Sequence, residues 1–264
     1  MKPYFQDKDA AIYHGDSHEV LPSLSGQYDF LLTDPPYGID YDTTEGKHGH
    51  ARDAKLIVGD AHPFDARSLD ALKVPSIIWG ANCFASSLSD QKGWLTWLKT
   101  APSAVASHTT VFAAGVGGFS VVKEISNCGV RLRKADMELA WTNFLRRPQA
   151  YMMHWIGAAF DSTEGRRGND QHHPTCKPFE LMTWCLNLAP KTCSVVIDPY
   201  MGGGSTLVAA SCLDGWKSIG IELEERYCEL AAKRLRLCGD KSPRNDTGAT
   251  SPKCTRQADF DFSS

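Results

Sequence analysis

The residues best suited to chemistry lie in two short motifs, of which the first is Asp34-Pro35-Pro36-Tyr37. An apolar run, Tyr28 to Thr33, precedes it and predicts a buried strand. The two prolines remove backbone donors and hold the chain extended, which leaves nearby carbonyl groups free to accept. A carboxylate, a free carbonyl and an aromatic ring at a strand end would suit a planar group with an NH₂ edge. The alternative is an ordinary proline turn.

The second motif is DPYMGGGST, Asp198 to Thr206. Val195 to Ile197 predict a buried strand before it, and the glycines let the backbone turn sharply and approach a ligand. The hydroxyl residues open a helix, and a second strand, Ser218 to Ile221, ends in Glu222. This order is typical of the cofactor-binding half of a Rossmann-like unit, in which the terminal acid holds ribose hydroxyls.

The charge of the second motif indicates which cofactor it would hold. A dinucleotide would put a pyrophosphate on the glycine turn, where Asp198 would repel it. S-adenosylmethionine carries an ammonium and a sulfonium, so it fits this carboxylate better than NAD does. No Gly-Lys-Ser/Thr follows the glycines, which excludes a phosphate-binding loop of the nucleotidase type. A tight turn without a ligand is the alternative.

Length and composition predict one large α/β domain. The chain has 264 residues and a formal net charge of −3, so any nucleic-acid surface must be a local patch. It contains no apolar run of membrane-spanning length and no signal-peptide core at its start, which predicts a cytoplasmic protein. Nine cysteines without a Cys-x-x-Cys pair predict reduced thiols.

The apolar pattern predicts further elements. Strands are expected at Ala11 to Tyr13, Pro75 to Gly80, Gly93 to Leu98 and His108 to Ala114, and helices at Leu207 to Leu213, Phe179 to Leu188 and Glu224 to Cys238. The remainder, residues 239–264, is polar and is expected to be a disordered tail.

Basic and aromatic residues alternate in the third quarter of the chain. The basic residues are Arg131, Arg133, Lys134, Arg146, Arg147, Arg166 and Arg167, and the aromatic ones are Trp141, Phe144, Tyr151 and Trp155. Such a mixture could grip a nucleic-acid backbone and stack on bases, or it could be a solvated face on which arginines cover aromatics. The adjacent His172 and His173 do not predict a metal site, because sequence neighbours rarely face the same point.

With both motifs placed, the chain resembles the amino-DNA methyltransferases of the β class, particularly the compact phage and prophage type. In that class the Asp-Pro-Pro-Tyr motif comes first, the target-recognition region second and the cofactor motif last. Shorter matching pieces are IYHGD, IIWGAN, ELAWTN, HPTCKP and IGIE, and the resemblance runs from about Ile12 to Leu235. The chain departs from the class at Leu98, where an aspartate is usual between Trp97 and Lys99, and this puts one contact of the site wall in doubt.

The resemblance implies a Rossmann-like, S-adenosylmethionine-dependent methyltransferase fold in circularly permuted order, with a mostly parallel sheet and helices on both faces. It implies one domain over residues 1–238, with a target-recognition region near residues 115–170. The expected reaction is site-specific methyl transfer to adenine N6 in a flipped-out base of double-stranded DNA. A homodimer is consistent with the class, in the cytoplasm of a bacterial or phage-infected cell.

The resemblance also implies the site residues. Asp34, Pro35, Pro36 and Tyr37 would be catalytic, and Asp16, Thr175, Lys177, Asp198, Tyr200, Gly202, Gly204, Ser205 and Glu222 would bind the cofactor. Among these, Lys177 and the glycine turn would hold the methionine portion, and Asp16 the adenine amine. An aspartate rather than a serine at position 34 favours adenine N6 over cytosine N4. Cytosine N4, RNA or a side-chain amide as substrate, and a catalytically impaired relative, remain alternatives.

Overall fold

A computed structural model of the chain describes residues 1–38, 60–99, 137–153 and 176–239. The strands in these ranges are β1 Phe5–Gln6, β2 Ala10–His14, β3 Phe30–Thr33, β4 Ser76–Trp79, β5 Gly93–Leu98, β6 Met137–Thr142, β7 Gln149–Met152, β8 Val195–Asp198 and β9 Lys217–Glu222. The α-helices are α1 Ser17–Val20, α2 Arg67–Asp70, α3 Phe179–Leu188, α4 Ser205–Ser211 and α5 Glu225–Gly239. Short 3-10 turns cover Leu21–Leu24, Ala81–Cys83 and Ala85–Ser87.

All of these strands belong to one sheet in the order β1-β2-β9-β8-β3-β4-β6-β5-β7. The five central strands from β2 to β4 run parallel, whereas β6 is antiparallel to both β4 and β5. The first and last parts of the chain therefore meet in the middle of the sheet, because β8 pairs with β3. This confirms a mostly parallel sheet in which the early strand motif and the late glycine motif are neighbours.

Helices cover both faces of the sheet because successive strand residues point to opposite sides. On β3, Phe30 and Leu32 pack in a cluster with α3 and the end of α4, and Leu31 packs in another with α1 and α2. A third cluster, around Ile12 and Leu207, includes the inner residues of α5. The buried runs are apolar on both faces, as expected for parallel strands between helical layers.

The predicted elements are confirmed where the structure describes them. The helix at Phe179–Leu188 has the predicted bounds, and the other predicted helices and strands begin and end within two residues of expectation. The predicted strand at 108–114 and the expected tail at 240–264 lie outside the described residues. No helix in the described ranges is long and apolar enough to cross a membrane.

Residues 137–152 carry three of the aromatic rings for which base stacking and a solvated face were the alternatives. These residues form β6 and β7, and Trp141 is buried with 1% exposure between the neighbouring strands. Phe144 packs against the core, and Tyr151 stacks on Trp184 with ring centroids 5.1 Å apart. The apolar area of these rings stabilises the sheet, and the buried ring of Trp141 is not available for base stacking.

Candidate active site

Two aspartates lie at the carboxyl ends of adjacent central strands. Asp198 is the last residue of β8 and Asp34 directly follows β3, and the two strands are paired at Leu31 and Ile197. The hydroxyl of Thr33 donates to Asp198 Oδ1 at 2.7 Å and joins the two strand ends. This is the edge of a parallel sheet at which ligands bind in open α/β folds.

Asp34 is held by two donors from the same cluster. The Tyr37 hydroxyl donates to Asp34 Oδ1 at 2.6 Å, and Lys177 Nζ donates to Asp34 Oδ2. Burial of the carboxylate raises the pKa of Asp34, and nearby Glu138 adds to this, although the positive charge of Lys177 opposes it. The Asp34 side chain is nevertheless 19% exposed, so a ligand can reach it.

The ring of Tyr37 lies against the backbone of Gly80. Gly80 follows β4 and has φ +72°, and a Cβ at this position would run into the Tyr37 ring. At the far end of the motif, Gly38 N donates to the buried carboxylate of Asp60 at 2.8 Å. Glycine at position 80 is therefore required both by backbone conformation and by space.

Lys177 connects Asp34 to a second carboxylate, that of Glu138. Lys177 Nζ lies 3.1 Å from Glu138 Oε2 and 3.0 Å from the Tyr37 hydroxyl, and its side chain is only 8% exposed. Burial alone would lower the pKa of Lys177, but the adjacent Asp34 and Glu138 carboxylates hold it well above its ordinary value. Lys177 is thus a charged ammonium in contact with two acids.

Glu138 reaches the site because β6 runs antiparallel to β4. Its Oε1 accepts from Lys99 Nζ, at the end of β5. Burial acts to raise the pKa of Glu138, but the two ammonium groups of Lys177 and Lys99 outweigh it and lower that pKa. Lys99 thus keeps a contact with the site although its neighbour is Leu98 rather than an aspartate. Asp34, Lys177, Glu138 and Lys99 form one chain of ion pairs, here called the acid–lysine chain.

Asp198 differs from Asp34 in that hydroxyl groups satisfy it. Its Oδ2 accepts from Thr206 Oγ1 at 2.6 Å and its Oδ1 accepts from Thr33, while the whole residue is 3% exposed. Burial raises the pKa of Asp198 to about 6. Both of its oxygens accept from the protein, and its contact with the cofactor stays a prediction.

The glycine turn between β8 and α4 is buried and partly left-handed. Gly202 and Gly204 have φ +50° and +77°, and a Cβ at Gly204 would lie 2.7 Å from the Cβ of Ala231 on α5. The Ser205 hydroxyl lies 2.9 Å from Cys176 Sγ, so it faces the segment that carries Lys177. The close approach of α5 explains why glycine is needed at position 204 of this turn.

Three more predicted cofactor residues surround this turn. Glu222, which ends β9, accepts from Gly202 N at 3.0 Å and from Glu224 N at 2.8 Å, and burial raises its pKa. Asp16 accepts from His18 N at 2.8 Å and caps α1. The ring of Tyr200 lies 5.4 Å from that of Phe64, edge to face. Asp16 and Glu222 follow paired strands, so they lie at the same edge.

The structure does not bring every predicted residue to this site. Arg146 and Arg147 follow β6 and therefore lie at the opposite edge of the sheet from Glu138, about 13 Å or more away along the strand. Their predicted contact with DNA stays a prediction. Thr175, Arg131, Arg133, Lys134, Arg166 and Arg167 lie outside the described residues, as do His172 and His173. The described ranges contain no group of three metal-binding side chains.

The sequence interpretation missed four residues of the site: Thr33, Thr206, Glu138 and Lys99. Thr33 directly precedes the first motif and Thr206 is the last residue of the second, and their hydroxyls lie at the end of β3 and the start of α4. Glu138 and Lys99 belong to different antiparallel strands, whose pairing is not visible in local spacing. A charged residue at the end of an otherwise apolar strand was the available signal for these two.

The fold and the two strand-end motifs define the class of Rossmann-like methyltransferases. A solved structure of the PvuII DNA methyltransferase, cytosine-N4-specific, matches the fold with a TM-score of 0.53 at 13% identity, over 90% of this chain and 93% of that one. The model of the N6/N4 methyltransferase family, described as DNA methylase, matches residues 130–233.

Curated relatives cover most of the chain. The type II methyltransferase M2.LlaDCHI of Lactococcus lactis subsp. cremoris is 24% identical over 89% of this chain and 92% of its own length. The putative methylase YubD of Escherichia coli K12 is 26% identical over 84% of this chain and 88% of its own length. The chain is thus similar to DNA methylases over residues 130–233 and to methyltransferases over most of its length.

Proposed function

We propose that the protein transfers a methyl group from S-adenosylmethionine to the exocyclic N6 amine of adenine, in a base flipped out of double-stranded DNA. The observation that carries this proposal is the pairing of β3 with β8. It puts the Asp34-Pro35-Pro36-Tyr37 motif next to the glycine turn, at one edge of the sheet. A methyl donor in the turn and an amine at Asp34 would then be neighbours.

The residues around the glycine turn fit S-adenosylmethionine. Glycines 202 and 204 give a turn that approaches a ligand closely, and the carboxylates of Asp16 and Glu222 lie at the ends of the flanking strands. Acids at this edge suit ribose hydroxyls and an adenine amine, and they disfavour a pyrophosphate. When bound, the cofactor supplies a methyl group on a sulfonium. We assign Tyr200, Ser205, Lys177 and Thr175 to the same site, as the resemblance implies.

Asp34 would activate the target amine by accepting its hydrogen bonds. An adenine N6 amine is a poor nucleophile because its lone pair is delocalised into the ring. If Asp34 and the Pro35 carbonyl accept its two N–H bonds, the nitrogen becomes more tetrahedral and its lone pair points out of the ring. Tyr37, whose hydroxyl is fixed on Asp34, would stack on the flipped base. Asp34 must be ionised for this role.

The partners implied by this function remain proposals. Double-stranded DNA would be the substrate, and the reaction would occur in the cytoplasm of a bacterial or phage-infected cell. Backbone contacts are proposed for seven basic residues, because cationic side chains dominate affinity for DNA. They are Arg131, Arg133, Lys134, Arg146, Arg147, Arg166 and Arg167. Two copies of the chain would form the active assembly.

The test is to express the protein in a methylation-deficient bacterial host and to sequence the genome with a method that reports modified bases. N6-methyladenine at a defined sequence is expected, and it should vanish with Asp34→Ala. N4-methylcytosine would keep the mechanism and change the base. Soluble protein that binds S-adenosylmethionine but modifies no DNA, in cells or with purified DNA, would contradict the proposal.

A further inference from the structure

We propose that Glu138 is a positioning residue that takes the ammonium of Lys177 away from Asp34 when the target amine binds. The inference rests on the proposed function, and it assigns a role to a residue that neither recognised motif contains. It concerns the acid–lysine chain, in which Lys177 contacts both carboxylates.

Each oxygen of Asp34 already accepts from a protein donor. Oδ1 accepts from the Tyr37 hydroxyl at 2.6 Å, and Oδ2 accepts from Lys177 Nζ. An amine N–H that is to be accepted by Asp34 must displace one of these donors or share its oxygen at a weaker geometry. Of the two, Tyr37 is packed over Gly80, whereas Lys177 has a second anion within reach.

Lys177 cannot leave Asp34 unless another anion pairs with its ammonium. Its side chain is 8% exposed, and an unpaired ammonium in such a place is strongly disfavoured. Glu138 Oε2 already lies 3.1 Å from Lys177 Nζ, so a small rotation of the lysine side chain completes the exchange. Glu138 therefore makes the release of Asp34 possible without burying a lone charge.

Lys99 competes with Lys177 for the Glu138 carboxylate. Lys99 Nζ holds Glu138 Oε1 and so fixes the carboxylate with its other oxygen towards Lys177. The titratable and charged groups around the two carboxylates are Tyr37, Lys177, Lys99, Asp198, Asp60 and Cys83. Removing Glu138 makes the charge next to Asp34 more positive, and removing Lys99 makes it more negative. If these residues had only a structural role, the two changes would not have opposite effects.

The primary experiment compares Glu138→Gln with the intact protein in single-turnover methyl transfer to duplex DNA, with saturating S-adenosylmethionine. Transfer is expected to slow about 10- to 100-fold, because Lys177 then has only Asp34 to bind. The dissociation constant for S-adenosylmethionine should stay within about twofold. The matched control is Glu180→Gln, which removes a carboxylate from the first turn of α3 and should leave transfer within about twofold.

The pH profile supplies the readout that identifies positioning. Transfer requires ionised Asp34, so its rate falls as pH drops through the pKa of that group. Glu138 raises the pKa of Asp34, so Glu138→Gln should move the acid limb to lower pH. Lys99→Met should move it to higher pH, because Glu138 then draws Lys177 further from Asp34. Glu138→Asp should recover part of the lost rate.

The outcomes separate this proposal from the proposed function. Slower transfer with acid limbs displaced in opposite directions supports it. Near-normal transfer by Glu138→Gln overturns it, as does slower transfer with unchanged acid limbs. If the intact protein methylates no DNA, the proposed function fails. The pKa of Asp34, followed by ¹³C NMR of labelled aspartate carboxyls and assigned with Asp34→Asn, then tests the link directly. An equal pKa with and without Glu138 overturns it, and a lower pKa in Glu138→Gln supports it.

Discussion

Asp34 and Asp198 lie at the ends of adjacent strands, yet the protein holds them in opposite ways. Asp34 is one-fifth exposed and is bound by the phenol of Tyr37, which packs against Gly80, and by the ammonium of Lys177, which has a second carboxylate within reach. Asp198 is 3% exposed and is bound by two threonine hydroxyls that belong to a strand and a helix. The donor that Asp34 is proposed to exchange, Lys177, can therefore move, whereas the two threonine donors of Asp198 are fixed in a strand and a helix.

From this difference we infer a chemical role for Asp34 and a structural role for Asp198. Asp198 connects β8 to the end of β3 through Thr33 and to the start of α4 through Thr206. It therefore fixes the distance between Asp34 and the glycine turn. A neutral hydroxyl partner leaves the carboxylate with a raised pKa, while the ion pairs at Asp34 oppose the effect of burial.

The largest expected effect comes from deleting the first carboxylate. Asp34→Ala should reduce methyl transfer by about 10³-fold or more, because no acceptor then orients the amine. The dissociation constant for S-adenosylmethionine, measured by calorimetry, should change little. Asp90→Ala, which removes an exposed carboxylate before β5, is the control and should transfer normally. Near-normal turnover by Asp34→Ala would remove this residue from the mechanism.

The second aspartate should reveal itself through stability. The pKa of Asp198 is raised to about 6 in the folded protein, so the folded state holds this proton more tightly than the unfolded chain. The stabilising contribution is complete below about pH 4 and is lost as pH rises through about 6. Relative to Asp198→Asn, the protein should lose roughly 3 kcal/mol of unfolding free energy between pH 4 and pH 7.5. Urea titrations at both pH values measure this, and a constant difference would contradict it.

Gly80→Ala should disturb Tyr37 and Asp34 and leave the contacts of Asp198 with Thr33 and Thr206 intact. The added methyl group would meet the Tyr37 ring, and the left-handed backbone adds strain. We expect about 100-fold slower transfer, because both the ring and its hydroxyl would shift. Gly26→Ala is a matched control, since Gly26 has φ +78° but no atom within 4 Å of the place that an added methyl group would occupy. If both variants lose activity equally, strain rather than the Tyr37 contact is responsible.

The smallest of these effects is expected at Glu222, on the Asp198 side. Glu222→Ala removes the acceptor of Gly202 N and a carboxylate at the end of β9. Affinity for S-adenosylmethionine should fall about 10- to 30-fold, while single-turnover transfer at saturation should change less. The control is Glu224→Ala, which removes a carboxylate that pairs with Arg226. An unchanged dissociation constant for Glu222→Ala would exclude it from the cofactor site.

The central strands and their motifs could be predicted because the information is local. β3 and β4 each have four consecutive buried residues and β8 has three, and most of these side chains are apolar on both faces, so a short apolar run identifies each strand. The charge of Asp198 correctly favours one class of cofactor, but the contacts of this carboxylate were not predictable. They depend on Thr33, which is 165 positions away along the chain.

The region of β6 and β7 shows why the rest could not be predicted. MELAWT mixes a charge and an aromatic residue, and its neighbours are basic, which favoured a surface interpretation. Burial of Trp141 arises only when β6 inserts between β4 and β5. The same insertion brings Glu138 to Lys177 and Asp34, so one missed strand pairing hid a whole ion-pair chain.

The pairing of β3 with β8 also governs how the chain can be made. At about 5 to 20 residues per second, the ribosome adds the partner of β3 roughly 8 to 33 seconds after β3 itself. During that interval one edge of an apolar strand in the nascent polypeptide has no native neighbour. Such an edge is prone to aggregation and a natural target for chaperones, so cotranslational folding of the first half cannot be completed until the last strands emerge.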